Sequence, residues 1–212
     1  MLEPSRVTLN SKRPVTPRPG GDVRVDLLLT GFGTFGELEE NPTEAAIKAL
    51  SPGPGVATHV FRTALASVEA DLPRLIQELR PRRVVAFGLA ASAGAVRLET
   101  TARNRSSETP DVDGARLPSP IAVDGPDRLV STLPLGEIGR ALAEREIATA
   151  SSDDAGGYLC NYAFYRLQQL APASGIEASG FVHAPGQGAY RAAQGRPVDY
   201  LGLIEVVAAT LL

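Results

Sequence analysis

Short apolar runs alternate with segments of helical periodicity between residues 23 and 212, and nothing else in the sequence restricts the fold as much. Val23–Thr30 reads as a buried strand, with Val25, Leu27, Leu28 and Leu29 nearly continuous, as expected where both faces are covered. Gly31–Glu40 follows as a glycine-rich loop. Asn41-Pro42-Thr43-Glu44 then opens a helix to about Leu50: Asn41 caps it, Pro42 suits its first position and Glu44 completes a capping box. Ala57–Thr63 is a second strand. A helix from Ser67 to about Leu79 carries Val68, Leu72, Leu75, Ile76 and Leu79 on one face. Val84–Phe87 is a third strand, Gly88–Gly94 a small-residue loop and Val96–Asn104 strand-like. Arg105–Asp127 is irregular and proline-rich. Leu135–Arg145 reads as a helix, Ile147–Ala150 as a short strand, Ser179–His183 as another strand, Pro185–Arg196 as a loop and Val198–Leu212 as the last helix. This alternation predicts an α/β fold with a largely parallel sheet. Ligands in such folds bind beyond the carboxyl ends of the strands, so the loops at 31–41, 88–94 and 184–196 are expected to converge.

The 212 residues suit one sizeable domain at 23–212, and 43% hydrophobic content can fill its core. Pro4, Pro14, Pro17, Pro19, Gly20 and Gly21 break any regular element in residues 1–22, so a disordered or loosely attached tail is expected there. With 21 Lys+Arg against 24 Asp+Glu, no basic excess points to nucleic acid or an anionic membrane surface. No apolar run is long enough to span a membrane, and the N-terminal stretch has no apolar region of a secretory signal. A single cysteine rules out an internal disulfide framework and fits a reducing, cytoplasmic compartment.

That cysteine lies in Ser151-Ser152-Asp153-Asp154-Ala155-Gly156-Gly157-Tyr158-Leu159-Cys160-Asn161. Leu159, Ala163, Leu167 and Leu170 recur at helical spacing behind it, and Asp153 or Asp154 can cap the helix start. Cys160 therefore falls in or near a first turn, where unpaired N–H groups and the dipole favour a thiolate. Gly156 and Gly157 allow close approach of another molecule. The residue can equally be a small buried core side chain. Of the two histidines, His59 lies inside a strand and reads as structural. His183 ends one, where a catalytic base would sit, or where an imidazole is simply hydrogen-bonded. A base needs an orienting acceptor, and Glu99 is a candidate, the alternative being an exposed strand carboxylate. Two histidines and one cysteine are too few to suggest a zinc cluster, and neither metal nor cofactor is expected.

Gly31-Phe32-Gly33-Thr34-Phe35-Gly36 matches the G-x-G-x-x-G dinucleotide pattern. Its context does not: four residues, three of them acidic, separate it from the helix start at Asn41, and Phe61-Arg62-Thr63 stands where the ribose-binding acid belongs.

Four blocks resemble the cysteine-type pyroglutamyl peptidases, also called pyrrolidone carboxyl peptidases. They are Thr30–Gly36 with Asn41-Pro42-Thr43; Glu99–Asn104 with Ala115-Arg116-Leu117-Pro118; Ala155–Asn161; and Phe181–Pro185. The resemblance runs from about residue 23 to the end. It implies a single-domain α/β/α sandwich with a largely parallel twisted sheet, self-association as a homotetramer, and removal of N-terminal pyroglutamate from peptides. It implies Cys160 as nucleophile, His183 as base and Glu99 as the third member of the triad. Arg116, with the amide of Cys160, is implied at the oxyanion. Phe32 and Phe35 are implied against the pyrrolidone ring, and Leu89 and Asn41 at the substrate.

The chain departs from the family pattern at Leu89, where glutamine usually stands, at Gly186–Tyr190, at Glu37 and in a longer segment over 105–115. These changes touch the pocket rather than the triad. The expected chemistry is attack by the thiolate on the pyroglutamyl carbonyl, proton transfer through His183 and hydrolysis of a thioester. Two other readings keep the fold: a thiol amidohydrolase for a different small amide, and an inactive binding protein.

Overall fold

The computed structural model describes residues 24–36 and 40–212; the expected tail at 1–22 lies outside the described residues. The chain order is β1 (Leu27–Phe32), α1 (Pro42–Ala49), β2 (Val56–Phe61), α2 (Leu65–Leu79), β3 (Arg83–Ala90), β4 (Val96–Glu99), β5 (Thr101–Arg103), β6 (Arg128–Val130), α3 (Leu135–Glu144), β7 (Thr149–Ser152), α4 (Leu159–Leu170), β8 (Ala178–Pro185), α5 (Gln187–Gln194) and α6 (Tyr200–Leu211).

Six strands form one sheet in the order β2-β1-β3-β8-β4-β7. β2, β1, β3 and β8 run parallel, β4 is antiparallel to β8, and β7 is parallel to β4. Two apolar layers cover the sheet. On one face Leu28, Val84, Ala86 and Phe181 pack with α2 and α4; on the other Leu27, Leu29, Val85, Phe87 and Val182 pack with α1, α3 and α6. The expected α/β/α sandwich is thus present, and every residue of β1 is buried, as a strand covered on both sides requires. Among the described residues no helix is long and apolar enough to cross a membrane.

Four local expectations need correction. Val96–Asn104 is two strands, not one. At Thr100 the chain leaves the main sheet, its N–H and hydroxyl both donating to Ser152 O (2.7 and 3.0 Å), and β5 pairs with β6 in a separate two-stranded ribbon. Pro185–Arg196 is not a loop, because β8 extends through Pro185 and α5 follows. Gly31, Phe32 and Gly88–Ala90 belong to strands rather than loops. Glu44 accepts from Lys48 Nζ at 2.6 Å instead of closing a capping box, while Asn41 does cap α1, its Oδ1 accepting from Thr43 N at 3.0 Å.

Candidate active site

β1 leads to β2 on one side and to β3 on the other, so the strand order reverses between β1 and β3 and opens a crevice at their carboxyl ends. A cavity of about 500 Å³ sits there. Phe32 and Phe35 line it from the end of β1, Thr63 from beyond β2, and Leu89, Ala90 and Ser92 from β3 and its loop; Arg97 comes from β4, His183 from β8, and Asp154–Cys160 from the approach to α4. Two of the three loops expected to converge do so. The segment 184–196 contributes no lining residue, because it is taken up by the strand end and α5.

α4 begins at Leu159, so Cys160 is its second residue, among the first-turn N–H groups that no carbonyl of the helix can satisfy. The N-cap position is Tyr158, without a side-chain cap. Asp153 and Asp154 do not cap the helix: Asp153 pairs with Arg103 at 2.9 Å and Asp154 with Arg105 at 2.7 Å, while Asp154 Oδ1 accepts from Gly156 N. The neighbouring residue, Asn161, is fully buried and fixes the helix start. Its Oδ1 accepts from Arg103 N (2.9 Å), and its Nδ2 donates to the carbonyls of Arg103 (2.8 Å) and Arg105 (2.9 Å). Both glycines line the cavity; Gly156 has φ at +85°, and the Gly157 carbonyl also accepts from Ser107 N at 2.6 Å.

β3 and β8 place Gly88 opposite His183. A Cβ at Gly88 would stand 2.7 Å from Cys160 Sγ and 2.8 Å from the Phe181 ring, so glycine is what leaves room for the sulfur over the strand. His183 is buried, its ring 4.7 Å from that of Phe181, and its Nδ1 lies 2.8 Å from Glu99 Oε1. Glu99 is fully buried rather than an exposed strand carboxylate, and among the described residues its Oε2 has no hydrogen-bond partner. A carboxylate held this way makes Nδ1 the protonated nitrogen and leaves Nε2 for the thiol. Burial works against a charged imidazole, but the charges of Cys160 and Glu99 outweigh it and push the His183 pKa up to about 9. The arrangement can hold a thiolate beside an imidazolium, attack a carbonyl and return a proton to a leaving amine.

The remaining expected residues divide. Phe32 is in the cavity floor, 5.5 Å from Phe61 and 6.4 Å from Phe181 between ring centres, whereas Phe35 lies at the side, 6.3 Å from Tyr158. Leu89 and Asn41 line the cavity, but the Asn41 amide is occupied by Gly33 O, Thr43 N and Thr43 Oγ1. Arg116 is exposed in the irregular segment and does not line the cavity. His59 is a half-buried strand residue 3.4 Å from Asp71 and outside the site. Residues not anticipated are Asn161, Gly88, Thr63, Ser92 and Arg97. Of these, Arg97 had a signal: it shares the period-2 face of β4 with Glu99.

An α/β sandwich with a thiol, an imidazole and a buried carboxylate at its strand-order reversal defines a thiol hydrolase. The family described as pyroglutamyl peptidase matches residues 25–199, and the chain belongs to that family of cysteine peptidases. Among its relatives are the pyrrolidone-carboxylate peptidases of Pseudomonas fluorescens, 35% identical over 75% of this chain and 78% of that protein, and of Halalkalibacterium halodurans, 35% identical over 75% and 83%. Among solved structures, a mutant pyrrolidone carboxyl peptidase from Pyrococcus furiosus has a TM-score of 0.78 at 28% identity, covering 88% of this chain and 98% of that one. The enzyme from Thermococcus litoralis has a TM-score of 0.78 at 26% identity, covering 88% and 92%.

Proposed function

We propose that the chain removes N-terminal pyroglutamate from peptides through Cys160, His183 and Glu99, acting as a homotetramer in the cytoplasm from the single domain at 23–212. The observation that carries this reading is the buried Glu99–His183 pair beside the one thiol of the chain, at the mouth of a cavity floored by Phe32. Cys160 Sγ attacks the carbonyl carbon of the pyroglutamyl residue, and the N–H of Cys160 at the start of α4 takes the developing oxyanion. The family resemblance adds Arg116 as a second donor there; Arg116 is exposed and outside the cavity lining, whereas the Cys160 amide stands in the first turn of α4. His183 passes its proton to the departing amine. A water, deprotonated by His183, then hydrolyses the thioester and frees pyroglutamate.

The lactam ring fits over Phe32 and beside Phe35, where covering its apolar face contributes roughly 25 cal/mol per Å². Its amide edge needs partners, and Leu89 offers none from its side chain. An unpaired buried amide costs about 1–3 kcal/mol, so KM for pyroglutamyl substrates is raised while kcat is little affected. The test is kcat and KM on a neutral chromogenic pyroglutamyl anilide. Wild type is expected to turn over, Leu89→Gln to lower KM about tenfold and Phe32→Ala to raise it. An inert wild-type chain would contradict the activity. An unchanged KM in Leu89→Gln with a harmless Phe32→Ala would contradict the placement of the ring.

A further inference from the structure

Arg97 is the cavity residue that the reaction above does not use. It is half-buried in β4 and lines the same cavity as Cys160 and His183. β4 and β8 are antiparallel, and Arg97 stands directly opposite His183, so both side chains leave the sheet on the same face. Arg97 forms no hydrogen bond or ion pair among the described residues. The other fixed charge of the lining, Asp154, is matched by Arg105 at 2.7 Å. A guanidinium with five donors is therefore left facing the cavity without a partner of its own. Its charge is not among those that set the His183 pKa, which come from Cys160 and Glu99.

The strand order says which part of a substrate it faces. The ring-binding residues stand at β1, with Phe32, and at β3, with Leu89; β8, with His183, comes next and β4, with Arg97, beyond it. A substrate whose ring lies over β1 and β3, and whose scissile carbonyl is at Cys160 and His183, sends its leaving amine toward β4. The pyroglutamyl residue itself carries no charge, so an arginine beyond the scissile bond can only be answered by the leaving group.

We propose that Arg97 is a specificity-determining residue that binds a carboxylate on the first residue of the leaving group. The proposal rests on the pyroglutamyl-peptidase reading above. That carboxylate has two sources, the free α-carboxylate of a pyroglutamyl dipeptide or the side chain of an aspartate or glutamate following pyroglutamate. Arginine suits either, because its planar fork matches a carboxylate in a bidentate fashion.

The test is kcat/KM on four substrates: the neutral chromogenic anilide, pyroglutamyl-alanine, pyroglutamyl-alanine amide and pyroglutamyl-glutamic acid α-amide. Each is measured with wild type, Arg97→Gln and Arg97→Lys. Wild type is expected to prefer a carboxylate-bearing substrate over pyroglutamyl-alanine amide by about tenfold, mainly through KM, as one charge-assisted hydrogen bond allows. Arg97→Gln should erase that preference while leaving the anilide within about threefold of wild type, because the anilide offers Arg97 no carboxylate to lose. Arg97→Lys should restore part of the preference. A preference for pyroglutamyl-alanine identifies the α-carboxylate as the group bound, and one for the glutamic acid amide identifies the side chain.

Cleavage of the anilide by wild type without any carboxylate preference, or a preference that survives Arg97→Gln, overturns the proposal and leaves the peptidase reading standing. An equal fall in kcat on all four substrates, with a moved pH profile, also overturns it, since Arg97 would then balance the charge of the catalytic groups. A wild type that cleaves none of the four overturns both readings.

Discussion

The chain holds two histidine–carboxylate pairs, and they behave in opposite ways. His183 and Glu99 meet at 2.8 Å with side-chain exposures of 6% and 0%, and His59 and Asp71 meet at 3.4 Å with exposures of 23% and 27%. The drier pair has the imidazole whose pKa rises, to about 9, and the wetter pair has one whose pKa is lowered. Burial disfavours the charged ring in both places. What differs is how many negative charges answer it and whether anything else shares them. Glu99 has no hydrogen-bond partner other than His183 among the described residues, and Cys160 is a second partner that favours the charged ring. Asp71 divides its charge between His59 and Arg74, which it meets at 2.9 Å, and the Arg74 charge itself acts against protonation of His59. A buried carboxylate reserved for one imidazole makes a general acid, whereas a surface carboxylate shared with an arginine does not.

The largest expected effect separates the two histidines by function. His183→Ala should lower kcat by several orders of magnitude, as removal of one member of a catalytic set does, and His59→Ala should leave kcat on the chromogenic anilide unchanged. Equal losses in the two variants would break the comparison.

Glu99→Gln comes next. It keeps the shape and removes the charge reserved for His183, so kcat should fall about a hundredfold or more. The pH dependence has a definite sign. Imidazolium is the form that gives a proton to the leaving amine, so the alkaline limb of kcat/KM in wild type should lie near pH 9. Since Glu99 raises that value, Glu99→Gln should move the limb down toward the ordinary 6.5. A limb that stays in place would mean that Glu99 does not act on His183 electrostatically.

The smallest effect is the sharpest control. Arg74→Ala should raise the His59 pKa, because it removes a positive charge that opposes protonation and frees Asp71 from its ion pair with Arg74. The His183 pKa should not move. Two imidazole titrations followed by NMR in one sample read both outcomes, and a lowered His59 value would contradict the account of that pair.

Much of this site is legible in the chain itself because its chemistry sits at element ends. A cysteine at the start of a periodic apolar stretch and a histidine at the end of an apolar run announce their positions without tertiary information. The same local rules fail where the signal is short or comes from elsewhere in the fold. α5 is only eight residues long, buries only Tyr190 and carries Gly188, so it is too short to stand out from a loop in the sequence. β6 is three residues long with only Leu129 not exposed, and it exists because β5 pairs with it. The change of sheet at Thr100 is made by hydrogen bonds to Ser152, which lies far along the chain. Glu99 and Arg97 occupy one face of a strand whose Val96 and Leu98 enter the opposite core, so alternation alone assigns that face to solvent. Only the antiparallel seat of β4 beside β8 turns it toward a histidine. Asn161 follows the cysteine directly, but its three hydrogen bonds reach residues more than fifty positions away.

The central claim is that Cys160, the one thiol in the chain, performs the hydrolysis. It is tested most directly by treating the protein with iodoacetamide, following modification by intact mass and measuring hydrolysis of the pyroglutamyl anilide at each stage. The account predicts a single adduct, on Cys160, and activity that falls in proportion to it until none remains. Full activity in fully alkylated protein would contradict it.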